Sequence, residues 1–366
     1  MYIVILCSLL AFFLTYLETK GKINYGMAWG FVLITFLGAV HYDYGNDYMN
    51  YYDIYQDITS FKFDLKQILD GYYYKQIGWT LLCWSFKPIG GFFTMVAVLN
   101  IVQNIIVYRF IRKNVKNNWI PLSVGIYLFS TSFYVLSFSM MRQMLVMVIF
   151  LGLWDLIKYK KWQIPFLILL LCSTIHSSSF ILIPFAFWGY LPIKSVRLLG
   201  IFYIVLLGIL WLFHDVLNNI FVYAIGLNED FEYSANYYDD DNNKGLRLGF
   251  GFILNLIPFC LSIFYMFSKG DNISEQSKKL VALSALSFLI SPFAQVLQLV
   301  SRVGMYFSIY SIASIPFIYG NIKNSNIRII LVSLFIIIMM YSYSDFWSSP
   351  IFKRSYSEFH TIFHLL

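Results

Sequence analysis

Five side chains in this apolar sequence are of types that could carry out group transfer on an anionic substrate. Arg142, Arg247 and Arg302 could bind an anion, because the guanidinium fork matches the geometry of phosphate oxygens. Asp47 and His176 could accept a proton from a hydroxyl group, which is the task of a general base. These residues lie far apart in the sequence, so any shared chemistry depends on the elements that bring them together.

The segment from His41 to Asp57 combines carboxylates with regularly spaced tyrosines. Gly45 suits a turn, and Asn46 or Asp47 suits the N-cap of a helix. Four tyrosines recur at the spacing of one helix face: Tyr44, Tyr48, Tyr51 and Tyr55. Three polar residues form an adjacent stripe: Asp43, Asp47 and Asn50. The pattern predicts an aromatic, sugar-binding face beside a carboxylate; the alternative is an amphipathic helix whose tyrosines lie among lipid headgroups.

Arg142 and His176 both fall in polar turns between apolar runs. An arginine near a membrane costs up to about 3 kcal/mol unless it snorkels or pairs, so Arg142 is interpreted as a phosphate ligand or a snorkelling residue. His176 is surrounded by serines that could satisfy the backbone at a helix break, and a structural histidine is the alternative. Arg302 marks a similar turn, whereas Arg247 follows an acidic loop and could be an ordinary helix-flanking charge.

No metal or cofactor site is predicted. The four cysteines lie in apolar surroundings without a C-x-x-C pair: Cys7, Cys83, Cys172 and Cys260. An Asp-x-Asp spacing occurs at Asp239–Asp241, but a solvated acidic loop accounts for it. The sequence contains no P-loop and no G-x-G-x-x-G, so chemistry driven by a nucleotide is unsupported.

The composition limits the elements that can position these residues. The chain has 366 residues, is 59% hydrophobic and has a mean hydropathy of +0.66. Charged residues are 12%, about half of the roughly 25% in a soluble domain. This excludes a soluble globular protein and a disordered one, and it predicts an all-helical, polytopic membrane protein. The net charge of +7 therefore does not indicate nucleic acid as a partner.

Apolar runs that could cross a bilayer core about 30 Å thick occur in series. We expect about twelve spans, near residues 2–17, 26–40, 91–111, 120–138, 143–157, 162–175, 178–191, 197–213, 248–268, 279–299, 303–320 and 327–344. The pair 162–175 and 178–191 is short and could be one span with a re-entrant piece. The stretch from Gln76 to Phe86 is too short to cross and is expected to lie along the interface.

Basic residues are distributed unevenly between the two sides of these spans. The side that holds the first connection carries 16 of the 26 basic and 4 of the 19 acidic residues, which leaves +12 there and −5 on the other side. By the positive-inside rule the basic side is cytoplasmic and both termini face outward. The chain is then one integral membrane domain, 1–366, with large outward loops near 41–90 and 214–247. All the candidate site residues fall on the outward side, where cations and a carboxylate would suit an anionic headgroup with a sugar beside it.

The order of these motifs resembles the EpsG-like family of Wzy-type polysaccharide polymerases. The resemblance rests on Gly45-Asn-Asp47-Tyr48 with Tyr51, on Arg142-Gln143, on His176-Ser-Ser, and on Arg302 before an aromatic-containing span. Together these marks cover roughly residues 40 to 310. The family usually has arginine four residues before the motif glycine, where this chain has His41.

The resemblance implies a GT-C-like glycosyltransferase in the bacterial plasma (inner) membrane, with its active site facing the periplasm or exterior. Such a polymerase moves a growing glycan from an undecaprenyl pyrophosphate carrier onto a new lipid-linked repeat unit. Its expected catalytic residues here are Asp47 and His176. Its expected substrate-binding residues are Arg142, Arg302, Arg247, His41, Asp43, Tyr48, Tyr51 and Gln143. Membrane lipid and a chain-length regulator are further candidate partners.

Two other functions are compatible with a polytopic protein. A flippase or exporter of lipid-linked sugars would need charged residues along a mid-membrane path, whereas here they cluster at one side. A membrane acyltransferase would need an embedded histidine and a path for an acyl donor from the cytoplasm.

Overall fold

The computed structural model describes residues 1–193, 195–226, 250–269, 274–293 and 298–365, and these are almost entirely helical. The predicted all-helical class is confirmed. The helices up to residue 175 are α1 Tyr2–Thr19, α2 Gly26–Val40, α3 Tyr48–Ser60, α4 Leu65–Leu69, α5 Ile77–Phe86, α6 Gly91–Asn114, α7 Ile120–Phe129, α8 Met141–Gly152, α9 Trp154–Lys158 and α10 Gln163–Ile175. Those that follow are α11 Val196–Gly226, α12 Phe250–Lys269, α13 Glu275–Ile290, α14 Gln298–Ser308, α15 Ser311–Gly320, α16 Ser325–Ser348 and α17 Pro350–Tyr356.

Four described helices are long and apolar enough to cross a membrane: Tyr2–Thr19, Gly91–Asn114, Val196–Phe213 and Ser325–Ser348. The bent pair Arg302–Ser308 and Ser311–Gly320 could provide a fifth. The expected count of about twelve is not confirmed. Several predicted spans are broken: the run 120–138 is helical only to Phe129, and 177–190 is a 3₁₀ segment with Pro184 inside it. Apolar composition marks these runs, but composition does not reveal where a helix stops.

The described residues form two compact units. The first comprises Met1–Tyr190 and Ser311–Leu366, and the second Leu191–Tyr310. In the first unit α1 packs against α2 and α7, α2 packs against α6, and α6 packs against α8. Buried polar side chains join these helices: Tyr127 receives a hydrogen bond from Gln103 at 2.9 Å and donates one to Asn104 at 2.8 Å. Such bonds fix helix pairs where no water is available.

The predicted loop after α2 is itself a folded layer of short helices. In this layer α3 packs against α5, and α5 packs against α4, α6 and α10. The helix expected from the tyrosine spacing is present as α3, and the stretch expected to lie along the interface is present as α5. The layer therefore places residues 41–86 beside the N-terminus of α6.

Both chain termini lie at the same end of the first unit as this layer. The strand β1, His41–Tyr42, pairs antiparallel with β2, His360–Thr361. The Met1 amino group donates to the Ser357 carbonyl at 3.1 Å. We call this the Arg142 end, and we call the opposite end, where α1 and α6 finish, the Arg112 end.

The second unit contains α11 to α14. The helix α11 is kinked at Phe213 and continues to Gly226, so the outward loop predicted to begin at His214 is helical in its first part. Tyr203 on α11 donates a hydrogen bond to the Ala282 carbonyl on α13 at 2.9 Å. Arg302 lies on α14 and is half-buried.

Candidate active site

Arg142 lies in the first turn of α8 and is the centre of the candidate site. Its Nη1 donates to the Tyr74 hydroxyl at 2.6 Å and to Gln76 Oε1 at 2.5 Å, and its Nε lies 3.5 Å from the Tyr51 hydroxyl. The guanidinium carbon is 5.2 Å from the ring centroid of Tyr51, 5.3 Å from that of Tyr74 and 5.8 Å from that of Trp79. These distances lie within the range of cation–π attraction.

All these partners of Arg142 are neutral. Among the described residues, no carboxylate lies within ion-pair distance of its guanidinium. Phenol and amide oxygens orient the fork but leave its positive charge uncompensated, and arginine does not lose its proton in proteins. The side chain is half-buried, so water reaches it only in part. This arrangement is chemically suited to an anionic ligand.

The tyrosine face of α3, predicted to bind a sugar, is buried among aromatic side chains. Tyr48 is 0% exposed, its hydroxyl donates to the His41 carbonyl at 3.1 Å, and its ring contacts that of Phe92 at 5.5 Å. Tyr51 is 6% exposed and packs on Trp79. The tyrosines are the apolar face of an amphipathic helix, so they pack against α5 and α6. Of the two tyrosines predicted as substrate ligands, Tyr51 contacts Arg142 and Tyr48 does not.

Asp47 precedes α3 at the N-cap position, yet its side chain makes no cap hydrogen bond. Instead, the Ser139 hydroxyl donates to Asp47 Oδ2 at 3.3 Å. The backbone N–H of Asp47 in turn donates to Ser139 Oγ at 3.2 Å. Ser139 is three residues before Arg142, so these bonds join the Asp47 turn to the start of α8. The half-buried carboxylate thus has a role other than capping.

Gly45 allows the Asp47 turn to approach this segment. Its φ is +119°, and an added Cβ would lie 2.6 Å from the Phe138 carbonyl oxygen, so only glycine fits. Its N–H donates to the Ser355 carbonyl at 3.0 Å. Asp43, two residues earlier, is exposed and also has a positive φ of 46°. The C-terminal segment thereby holds residues 43–47, which we call the motif loop, against the segment before α8.

His41, predicted as a substrate ligand, is a packed residue. It is 1% exposed, and its ring lies 4.8 Å from that of Tyr48 and 4.9 Å from that of Phe138. Burial lowers the pKa of His41 to about 4, although the hydrogen bond between its Nδ1 and the Gly38 carbonyl acts in the opposite direction. A neutral, enclosed imidazole brings no charge to an anion site.

His176 ends α10 in the polar turn that the sequence predicts. Its carbonyl accepts hydrogen bonds from the Ser179 N–H at 3.0 Å and from Ser179 Oγ at 2.7 Å. The preceding residue, Ile175, packs against the cluster that contains Trp79 and Met141, so the turn lies at the Arg142 end. Gln143, next to Arg142 on α8, is 1% exposed.

Two predicted cations, Arg302 and Arg247, remain. Arg302 belongs to the second unit, which is described separately. Arg247 and the Asp239–Asp241 spacing lie outside the described residues. No group of three His, Cys, Asp or Glu side chains comes together in the part of the chain that the structure describes.

Comparison with protein families decides the affiliation of the chain. The model of the EpsG family matches residues 23–359, which include α2, the motif loop, Arg142 and His176. The chain belongs to the EpsG family. Comparison with curated proteins gave no match, and neither did comparison with solved structures. EpsG membership indicates a membrane-embedded protein with a role related to polysaccharide polymerisation.

Four residues of this EpsG site are not singled out by the sequence: Ser139, Tyr74, Gln76 and Trp79. The last three come from the segment that leads into α5, more than sixty positions before Arg142. Their only signal is the aromatic run Tyr72–Tyr74 within a loop already rich in tyrosine. In this EpsG protein Arg142 is therefore oriented by a loop whose contact with α8 is not signalled by any local sequence pattern.

Proposed function

We propose that this protein is a GT-C-like glycosyltransferase that polymerises undecaprenyl-pyrophosphate-linked oligosaccharide repeat units. The reaction takes place at the outer face of the bacterial plasma membrane. The observation that carries the proposal is the Arg142 guanidinium, which is oriented by Tyr51, Tyr74 and Gln76 and lacks a carboxylate among the described residues. A pyrophosphate leaving group is an anion with the oxygen geometry that such a fork binds.

In this mechanism the glycosidic bond between the growing glycan and its pyrophosphate carrier breaks. The developing negative charge on the pyrophosphate is stabilised by Arg142, a donor already oriented before the reaction. The acceptor hydroxyl oxygen of the new repeat unit bonds to the anomeric carbon, and its proton passes to a general base. Arg302 and Arg247 are proposed as further ligands of the carrier phosphates.

Asp47 is the proposed base, with His176 as the alternative. Asp47 is half-buried, and Ser139 joins its turn to the segment that ends at Arg142. A base beside the leaving-group cation can act on a hydroxyl held near the same anomeric carbon. Tyr48 and His41 act through packing, since they hold the Asp47 turn in place without contacting the substrate. Asp43 is exposed beside the same turn and is proposed to contact the sugar.

The products of a deletion strain test this function against the flippase and the acyltransferase. Loss of a polymerase leaves single repeat units exported and attached, loss of a flippase leaves lipid-linked units inside, and loss of an acyltransferase preserves chain length. We expect single exported units, with long chains restored by the wild-type gene and not by Arg142→Ala at equal membrane abundance. Long chains in the deletion strain, or lipid-linked units trapped inside, would contradict the proposal.

A further inference from the structure

A cavity lies at the Arg112 end of the first unit. It has a volume of about 540 Å³ and opens between the last turns of α6 and the α8–α9 region. Three of its lining residues, Arg109, Arg112 and Lys113, are spaced i, i+3 and i+4, which places them on one face of α6. Asp155 on α9 lies opposite them. The helix α6 is 24 residues long and begins at Gly91, so Arg109 in this cavity lies about 27 Å along the helix from its N-terminus beside the motif loop.

The charges around this cavity do not balance. Arg112 pairs with Glu18, and Asp155 accepts from both Lys113 and Lys158 at 2.6 Å. Arg109 is exposed and has no ion-pair partner among the described residues. Four cations thus face two carboxylates, which leaves a net charge of +2 in the described surroundings.

An exposed apolar stripe on α6 begins where these cations end. Ile105, one turn from Arg109 towards the helix N-terminus, is 44% exposed. The stripe continues one and two turns further with side chains that are between 36% and 41% exposed: Ile101, Val102 and Val98. Cations beside an apolar stripe match the two parts of a phospholipid, namely a phosphate and an acyl chain.

We propose that this cavity binds the phosphate of an anionic phospholipid, whose acyl chain lies along the exposed stripe of α6. The site is separate from the Arg142 site and does not depend on the polymerase proposal. The positive-inside rule places it in the cytoplasmic leaflet, where anionic lipids attract basic residues. Bound lipid holds α6 against α9 and so fixes the helix whose other end supports the motif loop.

The test measures which lipids the full-length protein retains when it is purified from equimolar phosphatidylglycerol and phosphatidylcholine vesicles. Native mass spectrometry counts the bound lipids. We expect phosphatidylglycerol to be preferred, and we expect Arg109→Gln to reduce its retention about fivefold or more, because this variant removes a charge-assisted hydrogen bond to the lipid phosphate inside the cavity. Asp155→Asn should increase retention, since it frees Lys113 and Lys158. A gain of binding cannot result from misfolding.

The matched control is the double variant Lys116→Gln and Lys161→Gln, which removes exposed cations at the same end without touching the cavity. Its phosphatidylglycerol retention should equal that of the wild type. Equal retention by Arg109→Gln and wild type, or an equal loss in the control, would overturn the proposal. Displacement of the lipid by inorganic phosphate, but not by sodium chloride of equal ionic strength, would also overturn it, because the ligand would then be a soluble phosphate.

Discussion

The two ends of the first unit each hold an arginine over a tyrosine ring, yet only one of them meets a carboxylate. At the Arg112 end the guanidinium lies 5.5 Å from the Tyr108 centroid and pairs with Glu18. At the Arg142 end the guanidinium lies 5.2 Å from the Tyr51 centroid and is bound by hydroxyl and amide oxygens. The aromatic setting is shared, so the difference lies in the charge of the partners.

This difference is the basis for proposing that Arg142 binds a ligand and that Arg112 is structural. Glu18 also accepts from the Met27 N–H at 2.7 Å, so the Arg112 pair joins α1, α2 and α6 and uses its charge internally. The Arg142 partners orient the guanidinium without neutralising its charge, so a bound anion would compensate that charge. Positive charge alone does not identify the functional end, because the Arg112 end has more cations.

The largest expected effect comes from removing the Arg142 charge. Arg142→Ala and Arg142→Gln should lower polymer formation by at least about 100-fold per inserted protein, because one oriented donor to a developing anion contributes about 10²–10³. Arg142→Lys should also be impaired, since lysine lacks the fork held by Tyr74 and Gln76. Polymer length on gels, with membrane abundance measured in parallel, checks this. Normal chains in the alanine variant would remove Arg142 from the site.

Asp47→Asn is expected to have the next largest effect. The Asp47 side chain makes no cap hydrogen bond, and asparagine can still accept from Ser139, so this variant isolates the carboxylate charge. Polymerisation by purified enzyme should fall at least about tenfold, since general-base help contributes about 10²–10⁴. Asp53→Asn, on the exposed side of α3, is the control. In the same assay, a deeper loss in His176→Ala that shrinks as the pH is raised would move the base to His176.

Ser139→Ala should have a smaller effect on the same reaction. It removes the hydroxyl that joins Asp47 to the segment before Arg142, and one such hydrogen bond contributes about 1 kcal/mol, or roughly fivefold in rate. Ser137→Ala is the control, because the Ser137 hydroxyl donates to the Tyr134 carbonyl within its own turn. An equal loss in both variants would show that the effect comes from backbone packing.

Breaking the pair at the Arg112 end should leave the chemistry unchanged. Arg112→Gln should lower stability by about 2 kcal/mol, since it removes a hydrogen bond between charged groups. Polymer length per inserted protein should not change. Adding Glu18→Gln should recover part of the loss by removing an unpaired carboxylate. Thermal unfolding in detergent measures the stability, and shortened polymer at normal abundance would contradict the comparison.

The sequence predicts the helical class, the helix α3 and the polar turn at His176, because periodicity and turn residues are local signals. Periodicity places Tyr48 and Tyr51 on one face but does not reveal that α5 and α6 cover it. The span count is not confirmed for a similar reason: mostly apolar side chains continue from residue 133 to residue 138, but the helix α7 ends at Phe129. The neutral partners of Arg142 come from a distant loop, and only the fold brings them together.

Binding of a prenyl pyrophosphate to purified protein tests the central claim most directly. Calorimetry with geranylgeranyl pyrophosphate compares the wild type, Arg142→Gln and Arg112→Gln. The uncharged prenol is the ligand control, and every sample contains saturating phosphatidylglycerol so that the cavity at the Arg112 end is occupied. We expect Arg142→Gln to raise the Kd about tenfold or more, since charge-assisted hydrogen bonds contribute about 1.5–3 kcal/mol. Arg112→Gln should bind as the wild type does, and prenol binding should not depend on either residue. Wild-type affinity in Arg142→Gln, or an equal loss in Arg112→Gln, would contradict the assignment of the anion site to Arg142.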